Sequence, residues 1–287
     1  MMIFATRNRP IFSGFAALLI SSIAAAAPSP KPATKTSAKK STTAKASASY
    51  SHANKNWHTP DPEMKQVPTD GQGRPLLVVY SLNTRDKIAM RAATDHGGFG
   101  TRDLDKLAHV LREPSSGNQH PIDPALVDLI YRIQAHFKAQ EIRVVSCYRT
   151  PHGANASNHG RGRAIDIVVP GSTDQTVAQF AREQGFVGVG LYPTSGFVHV
   201  DVRQRSYFWL DSSAPGHRNR ERGVLGDLAK KSDAAAAARG EHGVPSLVLG
   251  SVDAMLKASG ATAAAASAAN TEEDEDADPS PTEPMSP

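Results

Sequence analysis

Apolar residues along the middle of the chain recur in two periods, and the alternation between them outlines the elements. Leu76 to Leu82 is a short apolar run closed by the polar stretch Asn83 to Asp86, which predicts a strand and a turn. Asp103 to Leu111 repeats apolar positions three and four residues apart, as a helix with one buried face does. Pro124 opens a second helix in which Leu126, Leu129, Ile130, Ile133 and Phe137 share a face, so these residues read as core. Three β-branched runs follow, Ile142 to Ser146, Ala164 to Val169 and Phe197 to Val202, with a helix from Thr173 to Gln184 between the last two. Helices mixed with strands in this order predict one α+β domain.

The flanks carry no such period. Residues 1–27 read as a signal peptide, with Arg7 and Arg9 ahead of the apolar run Ile11 to Ile23 and small residues Ala24 to Ala27 at the cleavage end. The run is short for a bilayer span; a stop-transfer anchor is the alternative, and either way the body of the protein leaves the cytoplasm. Residues 28–70 read as a disordered linker of Ala, Ser, Thr and Pro that carries Lys31, Lys35, Lys39, Lys40, Lys45 and Lys55. Residues 71–212 are the expected domain. Residues 213–287 read as an alanine-rich, then acidic, mostly disordered tail that carries the cluster Glu272 to Asp278.

Among 287 residues the formal net charge is +4, but it is divided between a basic front and an acidic rear. It therefore does not indicate a nucleic-acid partner, and no nucleic-acid motif is present. The single cysteine, Cys147, excludes an intramolecular disulfide. It is either a small core residue or a reactive thiol near a site. Gly185, Gly188 and Gly190 resemble a nucleotide loop only superficially, because they follow a helix instead of joining a strand to one.

Two segments concentrate imidazoles and carboxylates: Ser157 to Asp166, which holds His159 in a glycine-rich bend, and Phe197 to Val202. Strand alternation puts Ala164, Asp166 and Val168 on one face, and His199 with Asp201 on one face of the other strand. Two His and one Asp suit zinc and leave a fourth tetrahedral position for water, as catalytic sites require. Spacing alone does not identify a metal, since a single His or Asp in a strand is more often a surface group or a satisfied hydrogen-bonder.

At these residues the chain resembles the zinc peptidases that unite D-alanyl-D-alanine carboxypeptidases, L-alanyl-D-glutamate phage endopeptidases and the hedgehog signalling domain. Their SxHxxGxAxD signature is matched by Ser157, His159, Gly162, Ala164 and Asp166. Within the group the chain is most similar to the murein endopeptidase K branch, through Ser146-Cys147-Tyr148-Arg149, Asn155 and the run from Gly188 to Asp201. The resemblance spans about Leu76 to Trp209. It implies a small antiparallel sheet with helices packed on one side, a zinc ion held by His159, Asp166 and His199 in a cleft on the sheet, and Arg149 placed to bind a substrate carbonyl or carboxylate. Tyr148, Asn155 and Ser157 are the further substrate-binding candidates.

Two departures stand out. The carboxypeptidases and phage enzymes carry a Glu or Asp general base three residues before the second histidine, where this chain has Gly196. Asp201, about 7 Å along the strand from His199, is the candidate that either moves the proton or orients the imidazole, with the orienting role favoured. Cys147 also stands where the branch has glycine. His152 is a spare imidazole, read as an exposed loop residue.

The implied function is hydrolysis of stem-peptide cross-links in peptidoglycan by a monomeric enzyme of the periplasm or envelope, with Zn2+ as cofactor and no stable membrane span after signal cleavage. A D,D- or L,D-carboxypeptidase acting on the same peptides and a non-catalytic, zinc-containing peptidoglycan-binding module remain as alternatives.

Overall fold

A computed structural model describes residues 46–64, 66–151, 157–217, 220–221 and 225–244. The proposed signal peptide, the first part of the linker, His152, Asn155 and the acidic tail lie outside the described residues. The elements in chain order are α1 (Ala48–His58), β1 (Leu77–Ser81), β2 (Lys87–Met90), α2 (Thr101–Val110), α3 (Pro124–Phe137) and β3 (Ile142–Ser146). They continue with a single 3-10 turn at His159–Arg161, β4 (Ala164–Val168), α4 (Asp174–Glu183), β5 (Val187–Tyr192), β6 (Phe197–Val202), β7 (Tyr207–Asp211), β8 (Arg220–Glu221) and α5 (Gly226–Ala238).

The eight strands form one sheet in the order β2-β1-β3-β4-β6-β5-β7-β8. The α+β class is as expected, but the sheet is mixed: β1 runs parallel to β3 and β5 parallel to β7, while the other pairs are antiparallel. The parallel pairings arise where α2 and α3 separate β1 from β3 and where β6 intervenes between β5 and β7, so that neither pair is a hairpin.

One face of the sheet carries the main core. Leu77, Val79, Ile142, Val144, Ile165, Ile167, Val198 and Val200 pack with Leu107 of α2, Leu126, Leu129, Ile130 and Ile133 of α3, and Val177 and Ala181 of α4. The helix ends are set locally. The Asp123 carboxylate accepts from the Ala125 N–H at 3.0 Å with Pro124 next to it, and the Thr173 hydroxyl accepts from the Thr176 N–H at 3.2 Å.

The other face carries the buried Asp166, His199 and Asp201 and a second cluster of Val145, Val168, Tyr192, Phe197 and Trp209. Helix α1 lies against this face, which corrects the expectation that residues up to 70 are disordered. It is invisible to a hydrophobic pattern because Tyr50 is its only buried residue. Trp57 on that second cluster and a set of polar contacts dock it. The Arg143 guanidinium donates to the carbonyls of Asn56, Trp57 and Thr59 at 2.8, 2.9 and 2.9 Å, closing the helix C-terminus with a cation. Helix α5 likewise folds inside the expected tail. It buries Ala229, Ser232 and Ala236, and its Asp233 carboxylate accepts from the N–H groups of Phe186 and Ser206 at 2.7 and 2.9 Å. No helix among the described residues is long and apolar enough to cross a membrane.

His58 links α1 to α4 through Asp174 Oδ1 at 3.0 Å, with its other ring nitrogen 2.8 Å from the Asn54 carbonyl. Burial and the nearby Arg143 charge oppose its protonation, but the bonds to Asp174 and Asn54 and the Asp174 charge outweigh them and raise its pKa. A raised folded-state pKa stabilises the fold fully below the unfolded value of about 6.5, and that contribution disappears as pH rises through the folded value. Asp174→Asn is therefore expected to lower stability below pH 6.5 by up to about 1 kcal/mol, as for a partly exposed pair. The difference from wild type should close at alkaline pH in chemical denaturation curves; a gap that widened there would refute the assignment.

Candidate metal centre

Register brings the site together. In the antiparallel pairing of β4 with β6, Asp166 stands opposite His199 and Ala164 opposite Asp201. His159 reaches the same point from the 3-10 turn, whose Gly160 N–H is 3.4 Å from the Ser157 hydroxyl oxygen. His159, Asp166 and His199 are each 0 to 1% exposed.

Their facing atoms form a triangle. His159 Nε2 is 3.2 Å from His199 Nδ1, His199 Nδ1 is 3.0 Å from Asp166 Oδ1, and His159 Nε2 is 3.6 Å from Asp166 Oδ1. A tetrahedral ion with bonds of about 2.0 to 2.1 Å requires ligand atoms about 3.3 Å apart, so the triangle fits one face of such a tetrahedron. The residues fit a metal, and among the described residues no fourth His, Cys, Asp or Glu joins the group.

The far nitrogen of each imidazole is anchored. His159 Nδ1–H donates to the Cys147 carbonyl at 2.6 Å and His199 Nε2–H to Asp201 Oδ2 at 3.0 Å, which leaves Nε2 of one ring and Nδ1 of the other facing into the triangle, where they would hold an ion. Behind Asp201, Arg203 donates from Nε to Oδ1 and from Nη2 to Oδ2, both at 2.6 Å, and Asn158 Nδ2 donates to Oδ1 at 3.2 Å. Arg149 donates from Nη2 to Asp166 Oδ2 and from Nε to the Ser146 hydroxyl, each at 2.8 Å.

This charge balance sets the protonation of the metal-free site. Burial opposes charge on Asp166, but His159, His199 and Arg149 hold its carboxyl well below the usual range. Asp201 is held down likewise, against burial, by Arg203 and His199. Burial and the Arg149 charge depress His159. Burial disfavours charge on His199 too, yet the two carboxylates on its nitrogens push it up to about 9.

The remaining sequence candidates separate. Tyr148 is buried and stacks on His120 with centroids 5.3 Å apart, and Ser157 serves the turn that carries His159. Cys147 points into the main core with Sγ 3.5 Å from the Ala164 carbonyl, and burial together with the Asp166 charge pushes its thiol up to about 12. It is a core residue and not a reactive one. Gly196, at the position of the expected base, has φ +65° and lies under α1: a Cβ there would sit 2.0 Å from Asn54 Nδ2.

Arg203, Asn158 and α1 were not anticipated. A signal for Arg203 existed, since it continues the alternation of His199 and Asp201. The glycines of β5 give a second one: a Cβ on Gly188 would sit 1.9 Å from Asp201 Oδ2, and one on Gly190 would sit 2.3 Å from the Trp209 ring. They are strand residues kept small by what lies over them.

Comparison with known proteins agrees with this geometry. A family model described as peptidoglycan L,D-endopeptidase MepK matches residues 70–207. The probable peptidoglycan L,D-endopeptidase MepK of Haemophilus influenzae is 30% identical over 140 residues, covering 44% of this chain and 75% of the relative. The chain belongs to the MepK family. Peptidoglycan L,D-endopeptidase MepK of Escherichia coli K12 is 29% identical over 139 residues, 44% of this chain and 76% of the relative. No solved structure matches the chain. Membership makes the chain an M15 metallopeptidase acting on peptidoglycan, and the buried triad is its His–Asp–His metal-binding set. The family description specifies an L,D-endopeptidase, among the bond types that the sequence motif left open.

Proposed function

We propose that the chain is an exported zinc enzyme that hydrolyses L,D cross-links between peptidoglycan stem peptides, with His159, Asp166 and His199 holding the ion. The triangle of three buried ligand atoms, with no fourth His, Cys, Asp or Glu grouped with it among the described residues, carries the reading, because a structural zinc site closes its fourth position with a side chain. Zinc bound there supplies a Lewis acid for the scissile carbonyl and brings the pKa of a bound water toward about 7.

The chain's own residues do the rest. Asp166 neutralises part of the ionic charge and, through Oδ2, steers the Arg149 guanidinium, whose side chain keeps 20% of its surface exposed. Arg149 is thereby positioned to bind the substrate and to offset negative charge as it develops on the carbonyl oxygen. Asp201 holds His199 in the tautomer that turns Nδ1 toward the ion. The periplasm is the proposed location, supported by the signal-like residues 1–27 and by a substrate that lies in the envelope.

The test is mass spectrometry of purified muropeptides after incubation with wild type and His159→Ala. Wild type is expected to convert L,D-linked dimers to monomers in a chelator-sensitive way, and His159→Ala to leave them intact. Removal of terminal residues alone would make the enzyme a carboxypeptidase. Intact muropeptides with zinc bound and sacculi retained would make it a binding module.

A further inference from the structure

Helix α1 lies before the segment that matches the family model, yet it is tied to the strand that carries His199. Tyr50, 2% exposed, donates its hydroxyl to the Ser195 carbonyl at 2.9 Å. Asn54 Nδ2 donates to the same carbonyl at 2.9 Å and to the Gly196 carbonyl at 3.0 Å. Three donated bonds therefore converge on the two residues that close the turn between β5 and β6.

The turn has no room to relax toward α1. Gly196 sits at φ +65°, and the Asn54 carboxamide occupies the space in which a side chain at 196 would begin. Its N–H also donates to the Tyr192 carbonyl at 2.7 Å. From Gly196 the chain enters β6 directly, and His199 is the third residue on.

A second line of contact reaches the same histidine. Trp57 of α1 packs on the cluster that contains Tyr192, Phe197 and Trp209. The Trp209 ring lies 5.1 Å from the His199 ring and donates its Nε1–H to the Tyr192 hydroxyl at 3.1 Å. Helix α1 cannot follow small shifts of the turn, because Arg143 holds its C-terminal carbonyls and His58 holds Asp174.

We propose that α1 is a positioning element of the metal centre, with Asn54, assisted by Tyr50, acting through the Ser195–Gly196 turn to set His199 against Asp166 and His159. The proposal rests on the reading of those three residues as the metal ligands. Asn54 touches neither metal nor substrate; it fixes the strand that presents one ligand, and ångström-scale misplacement at a reacting centre can cost about 100-fold in rate.

The experiment uses the full-length protein loaded with cobalt(II), whose visible absorption reports ligand geometry independently of turnover. Asn54→Ala is expected to shift and weaken the cobalt absorption at equal metal content, and to lower kcat on L,D-linked muropeptide dimers by about 10- to 100-fold with KM within about twofold. Tyr50→Phe, which removes one of the three bonds, should move both readouts the same way by less. Lys55→Ala, on the exposed side of the same helix, should match wild type.

If Asn54→Ala melts earlier yet keeps the wild-type spectrum and kcat, α1 is a brace and the proposal is overturned. If Asn54→Ala does not fold, Tyr50→Phe decides: an unchanged spectrum and kcat overturn the proposal, and a shift in both supports it. Wild type that binds cobalt but cleaves no muropeptide would refute the proposed function and leave the spectral comparison valid.

Discussion

Asp166→Asn is expected to leave purified protein with almost no bound metal and less than about 1% of wild-type muropeptide cleavage, because the substitution removes an anionic ligand and breaks a buried ion pair together. Asp166 is fully buried, with Oδ1 at the corner it shares with both histidines and Oδ2 on Arg149 at 2.8 Å. The amide has nearly the same size, so no cavity forms. What changes is charge: the His199 imidazolium and the Arg149 guanidinium lose the carboxylate that they share. The destabilisation should be about 3 kcal/mol, the low end for a broken buried pair, since Arg149 is partly exposed. Metal analysis and denaturation of the purified variant check both parts, and a variant that retained stoichiometric zinc would remove Asp166 from the ligand set. Arg149→Ala separates the other half of the pair. If Arg149 acts on substrate, metal content holds and kcat/KM falls about 100- to 1,000-fold; loss of metal along with rate would restrict Arg149 to orienting Asp166.

Much of this arrangement was legible in the sequence where burial is two-sided or a period is clean. β3, β4 and β6 are rich in β-branched residues and buried at most positions because both faces of the central sheet are covered, and α3 announced itself by Pro124 and one apolar face. The triad followed from its motif, although only the register of β4 against β6 shows that Asp166 and His199 are directly opposed. β5 was hidden by Gly188 and Gly190, whose strand conformation depends on Asp201 and Trp209 lying over them, a tertiary fact that no local propensity contains. α1 was hidden for the opposite reason. It has no apolar stripe: the buried Tyr50, Trp57 on the second cluster and hydrogen bonds involving Tyr50, Asn54 and Arg143 hold it, so its composition reads as linker. Gly196 stands where the resemblance leads one to expect an acid, and the helix that fills the space of a side chain there could not be read from it, since Asn54 lies 142 residues upstream.

Asp201→Asn is the variant that decides how His199 is used. A carboxylate offers about four acceptor positions, and Asp201 spends them on His199 Nε2, on two nitrogens of Arg203 and on Asn158. Nothing remains to take a proton from water, and Asp201 meets His199 at the nitrogen turned away from the ligand triangle. We therefore propose that it orients the ring, in place of acting as the base. The expected result is metal binding weakened about 10- to 100-fold, the usual effect of losing an outer partner of a metal ligand, with most of the turnover recovered when zinc is raised to saturation. A variant fully loaded with zinc and still inactive would reverse the assignment and make Asp201 the proton carrier. Gly188→Ala should reach the same phenotype from the opposite side. Its Cβ would enter to 1.9 Å from Asp201 Oδ2 and 2.6 Å from Arg203 Nη2, displacing the ion pair from His199 while every polar side chain is retained. If Gly188→Ala and Asp201→Asn weaken zinc to a similar extent and their double variant adds little, the two substitutions act on one pathway, which runs from the β5 backbone through the Asp201–Arg203 pair to the metal-facing nitrogen of His199.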